Sequence, residues 1–343
     1  MTRLSVIGAG AWGTSLACVG RRAGHDVALW AREQATVDAI RADCANPTYL
    51  PDIPLEPGIA ATTDIAEALD GADAVLLVVP SQFLRTVAET MRPHLADGTP
   101  VVLCAKGIER SSLMLMTEVA GETLPQARLA VLSGPTFARE VARGLPAAVT
   151  LACADAALGQ QLVEMIGIPH FRPYLSDDLV GAEIGGAVKN VLAIACGTVT
   201  GRQMGDNTRA ALITRGLAEI ARLGLAKGAR PETLMGLSGL GDLTLTCNGP
   251  QSRNMSLGMA LGEGRKLEDI LAERKSVAEG VFNAESVTAL AASLGVDMPI
   301  CSAVDQVINQ NADIDATITA LLNRPFRSEN LCAPAAPQTR PPN

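Results

Sequence analysis

Six residues near the start of the chain narrow its fold more than any other stretch. Gly8-Ala9-Gly10-Ala11-Trp12-Gly13 fits G-x-G-x-x-G, follows the apolar run Leu4-Ser5-Val6-Ile7 and opens a helical pattern reaching about residue 23. A lone match is weak, but between a strand and a helix it reads as a dinucleotide-binding turn. The first glycine makes the tight turn, the second lets the backbone approach a pyrophosphate, and the third permits close helix–strand packing. The helix N-terminus adds free N–H groups and a positive dipole end. The competing reading is a glycine-rich turn with no ligand. Strand, spacing and N-terminal place together weigh against it.

The pattern that follows extends this unit. Apolar runs at residues 26–30, 74–79, 100–104, 129–132 and 147–152 alternate with helical stretches, one starting at about residue 33. Such alternation indicates βαβ units and a mainly parallel sheet covered on both faces. Asp64 and Ser81 stand where helix N-caps are expected. After about residue 176 the alternation stops, and helical patterns cover 179–200, 207–225, 283–294 and 316–322. The expected fold is α/β: an N-terminal Rossmann-type, doubly wound domain over 1–175, then an all-α domain over 176–327. The proline-rich stretch 328–343 has little to bury and reads as a disordered tail.

Composition excludes several partners. The net charge of −8 disfavours a nucleic-acid surface. Local cations in a pocket can still hold an anionic metabolite. Eight cysteines are scattered without a CxxC, several inside apolar runs, which fits reduced thiols in the cytoplasm. The N-terminus lacks the organisation of a signal peptide. No apolar run is read as reaching the ~20 residues of a membrane span, so no stable membrane insertion is expected.

Further polar residues stand out against the apolar background. Where an NAD-specific site often carries an acid after the second strand, this chain has Arg32, with Glu33 behind it. A guanidinium there can pair a 2′-phosphate or stack on adenine, or be an ordinary solvated arginine. In Gly181-Ala182-Glu183-Ile184-Gly185-Gly186-Ala187-Val188-Lys189-Asn190, three glycines each cost ~1 kcal/mol relative to alanine. They point to the close approach of a ligand or another backbone. Lys189, desolvated there, would have a lowered pKa suited to acid–base work; the alternative is a snorkelling surface lysine. Asp242 and Thr246, four apart, would share a helix face. Ser252 looks like an N-cap, with Arg253 and Asn254 in the first turn, where an anion is favoured.

The whole stretch 4–323 resembles the bacterial NAD(P)-dependent glycerol-3-phosphate dehydrogenases. Seven motifs carry the likeness in order: Gly-Ala-Gly-Ala-Trp-Gly-Thr (8–14), Cys-Ala-Lys-Gly-Ile (104–108), Leu-Ser-Gly-Pro-Thr-Phe-Ala (132–138), Gly-Ala-Val-Lys-Asn (186–190), Gly-Leu-Gly-Asp-Leu (239–243), Ser-Arg-Asn (252–254) and Val-Ala-Glu-Gly (277–280). The resemblance implies interconversion of sn-glycerol 3-phosphate and dihydroxyacetone phosphate by hydride transfer with NADP(H) or NAD(H), without a metal, feeding phospholipid synthesis. It implies Lys189 as the proton acceptor, with Asp242, Asn190 and Thr246 orienting it and the reacting oxygen. Lys106, Gly134, Thr136, Lys189, Asp242, Ser252, Arg253 and Asn254 would bind the phosphorylated three-carbon substrate. Gly8, Gly10, Ala11, Trp12, Gly13, Arg32, Phe83, Lys106, Ala138, Arg253, Val277 and Glu279 would hold the cofactor. Many relatives have serine where Ala11 stands, so a side-chain bond is missing there while the backbone N–H remains. A homodimer is the expected assembly. The three histidines fall outside the motifs and no metal-ligand spacing appears, which disfavours histidine-based or zinc dehydrogenases. The rival readings are a β-hydroxyacid or 6-phosphogluconate-type dehydrogenase and a non-catalytic NADPH-sensing module.

Overall fold

The computed structural model describes residues 2–249, 251–274 and 278–326. Ten strands are present: β1 (Arg3–Ile7), β2 (Asp26–Trp30), β3 (Ala45–Asn46), β4 (Leu50–Pro54), β5 (Ile59–Thr62), β6 (Ala74–Leu77), β7 (Pro100–Leu103), β8 (Arg128–Ser133), β9 (Ala147–Ala152) and β10 (Phe171–Ser176). Eight form one sheet in the order β10-β9-β8-β7-β6-β1-β2-β5, while β3 and β4 make a separate antiparallel pair. Within the large sheet only the β8–β9 pairing is antiparallel. The chain winds from β1 outward through β2 and β5, then returns to place β6 on the other side of β1. This reversal opens a crevice at the carboxyl ends of β1 and β6, where doubly wound sheets bind ligands.

The six strands expected from apolar runs are all present; four others were not anticipated. The edge strand β10 reads Phe-Arg-Pro-Tyr-Leu-Ser, with only Phe171 fully buried. A half-exposed edge strand carrying Arg172 and Pro173 has no apolar run to display, and both residues suit an unpaired edge. Asp64 caps the helix Ile65–Leu69 by accepting from Ala66 N. Ser81 does not cap: it opens the 3₁₀ turn Ser81–Phe83 behind Pro80, and its hydroxyl lies against Gly107 instead. The stretch 328–343, read as a disordered tail, lies outside the described residues.

The helix Leu179–Gly201 is capped by Asp178, which accepts from Gly181 N at 2.8 Å. Contrary to the sequence reading, this helix is long and apolar enough to cross a membrane, yet most of it is buried among the other helices. The missed signal is its composition: Lys189 and Glu183 interrupt the run, but glycine and alanine elsewhere keep it apolar. Buried around it are aliphatic side chains such as Leu217, Ile220, Leu243, Leu257 and Val287. The helix Arg253–Gly262 lies against it along a glycine seam. A Cβ on Gly197 or Gly201 would drive into the carbonyls of Met255 or Met259. One on Gly258 or Gly262 would drive into those of Ile194 or Thr198. The seam brings Asn254 beside Asn190.

Gly258→Ala should therefore destabilise the protein. Helix propensity returns about 1 kcal/mol, but overpacking a backbone contact costs roughly 1–3 kcal/mol. The urea midpoint of unfolding is expected to fall at unchanged slope. A raised midpoint would contradict the seam.

Candidate active site

At the β1 turn the three glycines separate by role. Gly8 has φ +117°, and a Cβ on it would lie 2.7 Å from the Val78 carbonyl oxygen just beyond β6. A Cβ on Gly13 would penetrate the Gly8 carbonyl, so this glycine serves helix–strand contact. Gly10 faces open space, with nothing within 4 Å of a Cβ. It precedes the helix Ala11–Arg22, whose start no side chain caps. That open, uncapped N-terminus, where Ala11 and Trp12 contribute backbone N–H groups, fits a pyrophosphate. The Trp12 ring packs inward on Phe171, centroids 6.3 Å apart, and its Nε1 is buried without a partner among the described residues. Ser15 ties this helix to the helix Ala138–Ala142: its hydroxyl lies 2.7 Å from the carbonyl oxygens of both Ala11 and Ala138, which share its one proton.

The crevice continues along the strand ends. Arg32 follows β2; its guanidinium is 77% exposed and forks onto Glu33 Oε1 at 2.8 and 2.6 Å. An exposed pair of this kind holds weakly. Phe83, after β6, is 55% exposed. Lys106 follows β7, and Gly134, Thr136 and Ala138 follow β8. Gly134 has φ +151° and presses on β9, a Cβ there lying 2.9 Å from Val149 Cα. The Thr136 hydroxyl donates to the Gly134 carbonyl at 3.3 Å.

Two lysines from different halves of the chain converge on one carboxylate. Lys189 Nζ donates to Asp242 Oδ1 at 2.5 Å and to Thr246 Oγ1 at 2.9 Å. Lys106 Nζ donates to Asp242 Oδ2 at 2.7 Å and to the Gly134 carbonyl at 3.0 Å. Asp242 has no solvent exposure and Lys189 only 6%. A π-helical turn, Leu237–Gly241, delivers Asp242 to the start of the helix Asp242–Asn248. Gly185 permits this, because a Cβ there would strike the Ser238 carbonyl, and Gly186 makes room for the Lys106 chain. Of the three glycines before Lys189, Gly185 admits a backbone and Gly186 the Lys106 chain. Gly181 admits the Asp178 and Thr233 side chains.

Burial pushes the Lys189 ammonium down to about 8, with Lys106 adding to the fall while Asp242 and Glu279 oppose it. Lys189 spends two of its three donors within the protein, leaving one for an oxygen in the crevice. Burial likewise raises the Glu279 carboxyl above its ordinary range against the pull of Arg253, Lys106 and Lys189. Among the described residues no group of His, Cys, Asp or Glu could hold a metal ion.

Other expected site residues fall nearby in different roles. Asn190 does not touch Lys189; its Oδ1 accepts from Asn254 Nδ2 at 2.9 Å, and Asn254 Oδ1 accepts from Gly280 N at 3.0 Å. Both Asn254 polar atoms are thereby used in a clasp between three helices. Ser252 caps the helix Arg253–Gly262 by accepting from Met255 N at 3.2 Å, and Arg253 is exposed at its first position. Val277 lies outside the described residues. Asn283, which the sequence reading passed over, is fully buried and donates to the Lys106 carbonyl at 3.1 Å and the Ala187 carbonyl at 3.3 Å. Its signal was a lone asparagine four residues after Glu279 in an apolar helix.

Comparison with known proteins agrees along the chain. The family model described as the NAD-dependent glycerol-3-phosphate dehydrogenase N-terminus matches residues 3–159, and that for its C-terminus matches 178–319. The chain is 59% identical over 327 residues to a glycerol-3-phosphate dehydrogenase [NAD(P)+] of Parvibaculum lavamentivorans, covering 95% of this chain and 98% of that protein. It is 60% identical over 326 residues to one of Rhodospirillum rubrum, covering 95% and 93%. The crystal structure of the Coxiella burnetii glycerol-3-phosphate dehydrogenase superposes with a TM-score of 0.91 at 40% identity, over 94% of this chain and 99% of that one.

Proposed function

This chain belongs to the NAD-dependent glycerol-3-phosphate dehydrogenase family, and from that premise we propose how its residues carry the reaction. It is an oxidoreductase that interconverts sn-glycerol 3-phosphate and dihydroxyacetone phosphate with NAD(P)(H). The rival dehydrogenase classes and the sensor module are not favoured. The nicotinamide supplies or accepts the hydride; the protein manages the proton and the phosphate.

Lys189 is the proton-transfer group. In oxidation its neutral amine takes the hydroxyl proton as the hydride leaves the same carbon. In reduction its ammonium returns a proton to the carbonyl oxygen. The observation that supports this most is the buried Lys106–Asp242–Lys189 arrangement. A second cation and desolvation hold Lys189 near working pH, while Asp242 fixes where Nζ points. Lys106, with one donor unspent, binds the substrate oxygen beside it. Arg253 takes the phosphate, assisted by the helix N-terminus that Ser252 caps. Arg32 at the end of β2 suits the 2′-phosphate of NADP(H), which would displace Glu33. The expected homodimer and cytoplasmic location belong to the same proposal. Six of the seven described cysteines are buried free thiols, in keeping with a reducing compartment.

Two outcomes test this reading. With Lys189 at about 8, the rate of glycerol 3-phosphate oxidation should rise with pH and level off above that value, and dihydroxyacetone phosphate reduction should fall there. The sign follows because the base must be neutral and the acid charged. Inflections in the same direction for both reactions would contradict it. Arg253→Ala should weaken kcat/KM for dihydroxyacetone phosphate by ~1.5–3 kcal/mol and spare unphosphorylated dihydroxyacetone, since only the phosphate can use a charge-assisted fork. Equal losses on both substrates would remove Arg253 from phosphate binding.

A further inference from the structure

The second turn of the helix Glu279–Ser293 carries another polar residue toward the two lysines. Asn283 lies four positions after Glu279, on the same face. It has no exposure, and its Nδ2 bridges the Lys106 carbonyl at 3.1 Å and the Ala187 carbonyl at 3.3 Å. Backbone carbonyls only accept, so this contact fixes which way the amide faces.

Its Oδ1 is buried and has no partner among the described residues. An unsatisfied buried oxygen is unfavourable, and a leucine of similar size would avoid it. The amide therefore persists for what its two N–H groups reach. These are the backbones of two elements: the loop that carries Lys106 beyond β7, and the helix that carries Lys189 two residues past Ala187. A second observation points the same way. Gly107, next to Lys106, cannot bear a side chain; its Cβ would lie 2.8 Å from Asn283 Oδ1 and would also clash with the Ser81 hydroxyl. The loop is shaped so that Asn283 can close on it. One turn earlier, Gly280 N is held by Asn254, which binds Asn190 beside Lys189.

We propose that Asn283 is a positioning residue for the reaction, holding the Lys106 backbone against the Lys189 helix so that both ammonium groups meet on Asp242. The proposal rests on the reading that these lysines serve catalysis. It is tested by a double-mutant cycle on the full chain, with Asn283→Leu, Lys106→Met and their combination, reading kcat/KM for dihydroxyacetone phosphate. A displacement of about 1 Å in a reacting group costs on the order of 100-fold, so Asn283→Leu alone should lose ~10–100-fold. In the Lys106→Met background the same change should cost little, because the ammonium that Asn283 positions through the backbone is gone. Equal losses in both backgrounds, or wild-type rates for Asn283→Leu, would overturn the proposal. Should Asn283→Leu not fold, Asn283→Ser replaces it in the cycle with the same two outcomes. A wild-type protein inert with dihydroxyacetone phosphate and NADPH would strike instead at the reaction assignment.

Discussion

Lys189→Ala is expected to remove ~10²–10⁴ of the turnover for dihydroxyacetone phosphate, the usual worth of a positioned acid or base. Three features make this side chain hard to replace. It is almost wholly buried, Asp242 and Thr246 fix its Nζ, and burial brings it to about 8. Water entering the space left by the truncation would have a pKa far from that value. The fold should survive, because deleting Lys189 relieves a crowding of like charge and leaves Asp242 paired with Lys106. Binding of NADPH should survive too, since the β1 turn lies on other elements. Fluorescence titration of NADPH alongside single-turnover rates separates the two effects. Turnover within a few-fold of wild type would end the assignment of Lys189 as the proton-transfer group.

Asp242→Asn should be more damaging to the structure and comparably damaging to the rate. The carboxylate has no exposure and is the shared partner of two ammonium groups. Breaking a buried ion pair by removing one partner costs roughly 3–5 kcal/mol, because the remaining charge is left uncompensated. Here two like charges remain, and without the carboxylate that favours its charged form Lys189 loses its proton more readily. The pH inflection of the reaction should thus move below that of the wild type, a shift that no simple loosening of the fold would produce. The variant should unfold at lower urea concentration and lose at least ~10² in kcat/KM, as expected for a misplaced proton-transfer group. An inflection unchanged or raised would mean that Asp242 does not govern Lys189.

How much of this was legible in the sequence differs by residue, and the differences have physical causes. The glycines at 8 and 13 could be read because each backbone role excludes a side chain, as their contacts show, while Gly10 stands in open space where only a ligand would exclude one. Lys189 could be singled out because a lysine in an apolar, glycine-rich helix is costly. Its partner in space, Asp242, lies 53 residues away, and no periodicity joins them. The resemblance supplied that link. The resemblance implied Lys106 as a site residue, yet its bond to the same carboxylate depends on how the carboxyl end of β7 meets the helices. Asn190, beside Lys189 in sequence, points to Asn254, since neighbours on a helix turn about 100° apart. β10 was hidden because an edge strand need not be apolar, and Asn283 because one polar residue in a buried helix carries no pattern.

On the proposed mechanism, the protein reduces a phosphorylated three-carbon ketone through one proton-transfer lysine, Lys189. The most direct test follows NADPH absorbance while the purified protein meets dihydroxyacetone phosphate, unphosphorylated dihydroxyacetone, a β-keto acid and a phosphorylated sugar acid in turn. Rapid oxidation with dihydroxyacetone phosphate, feeble with dihydroxyacetone and absent with the acids, is the result predicted. Faster oxidation with either acid, or none with dihydroxyacetone phosphate, would contradict it.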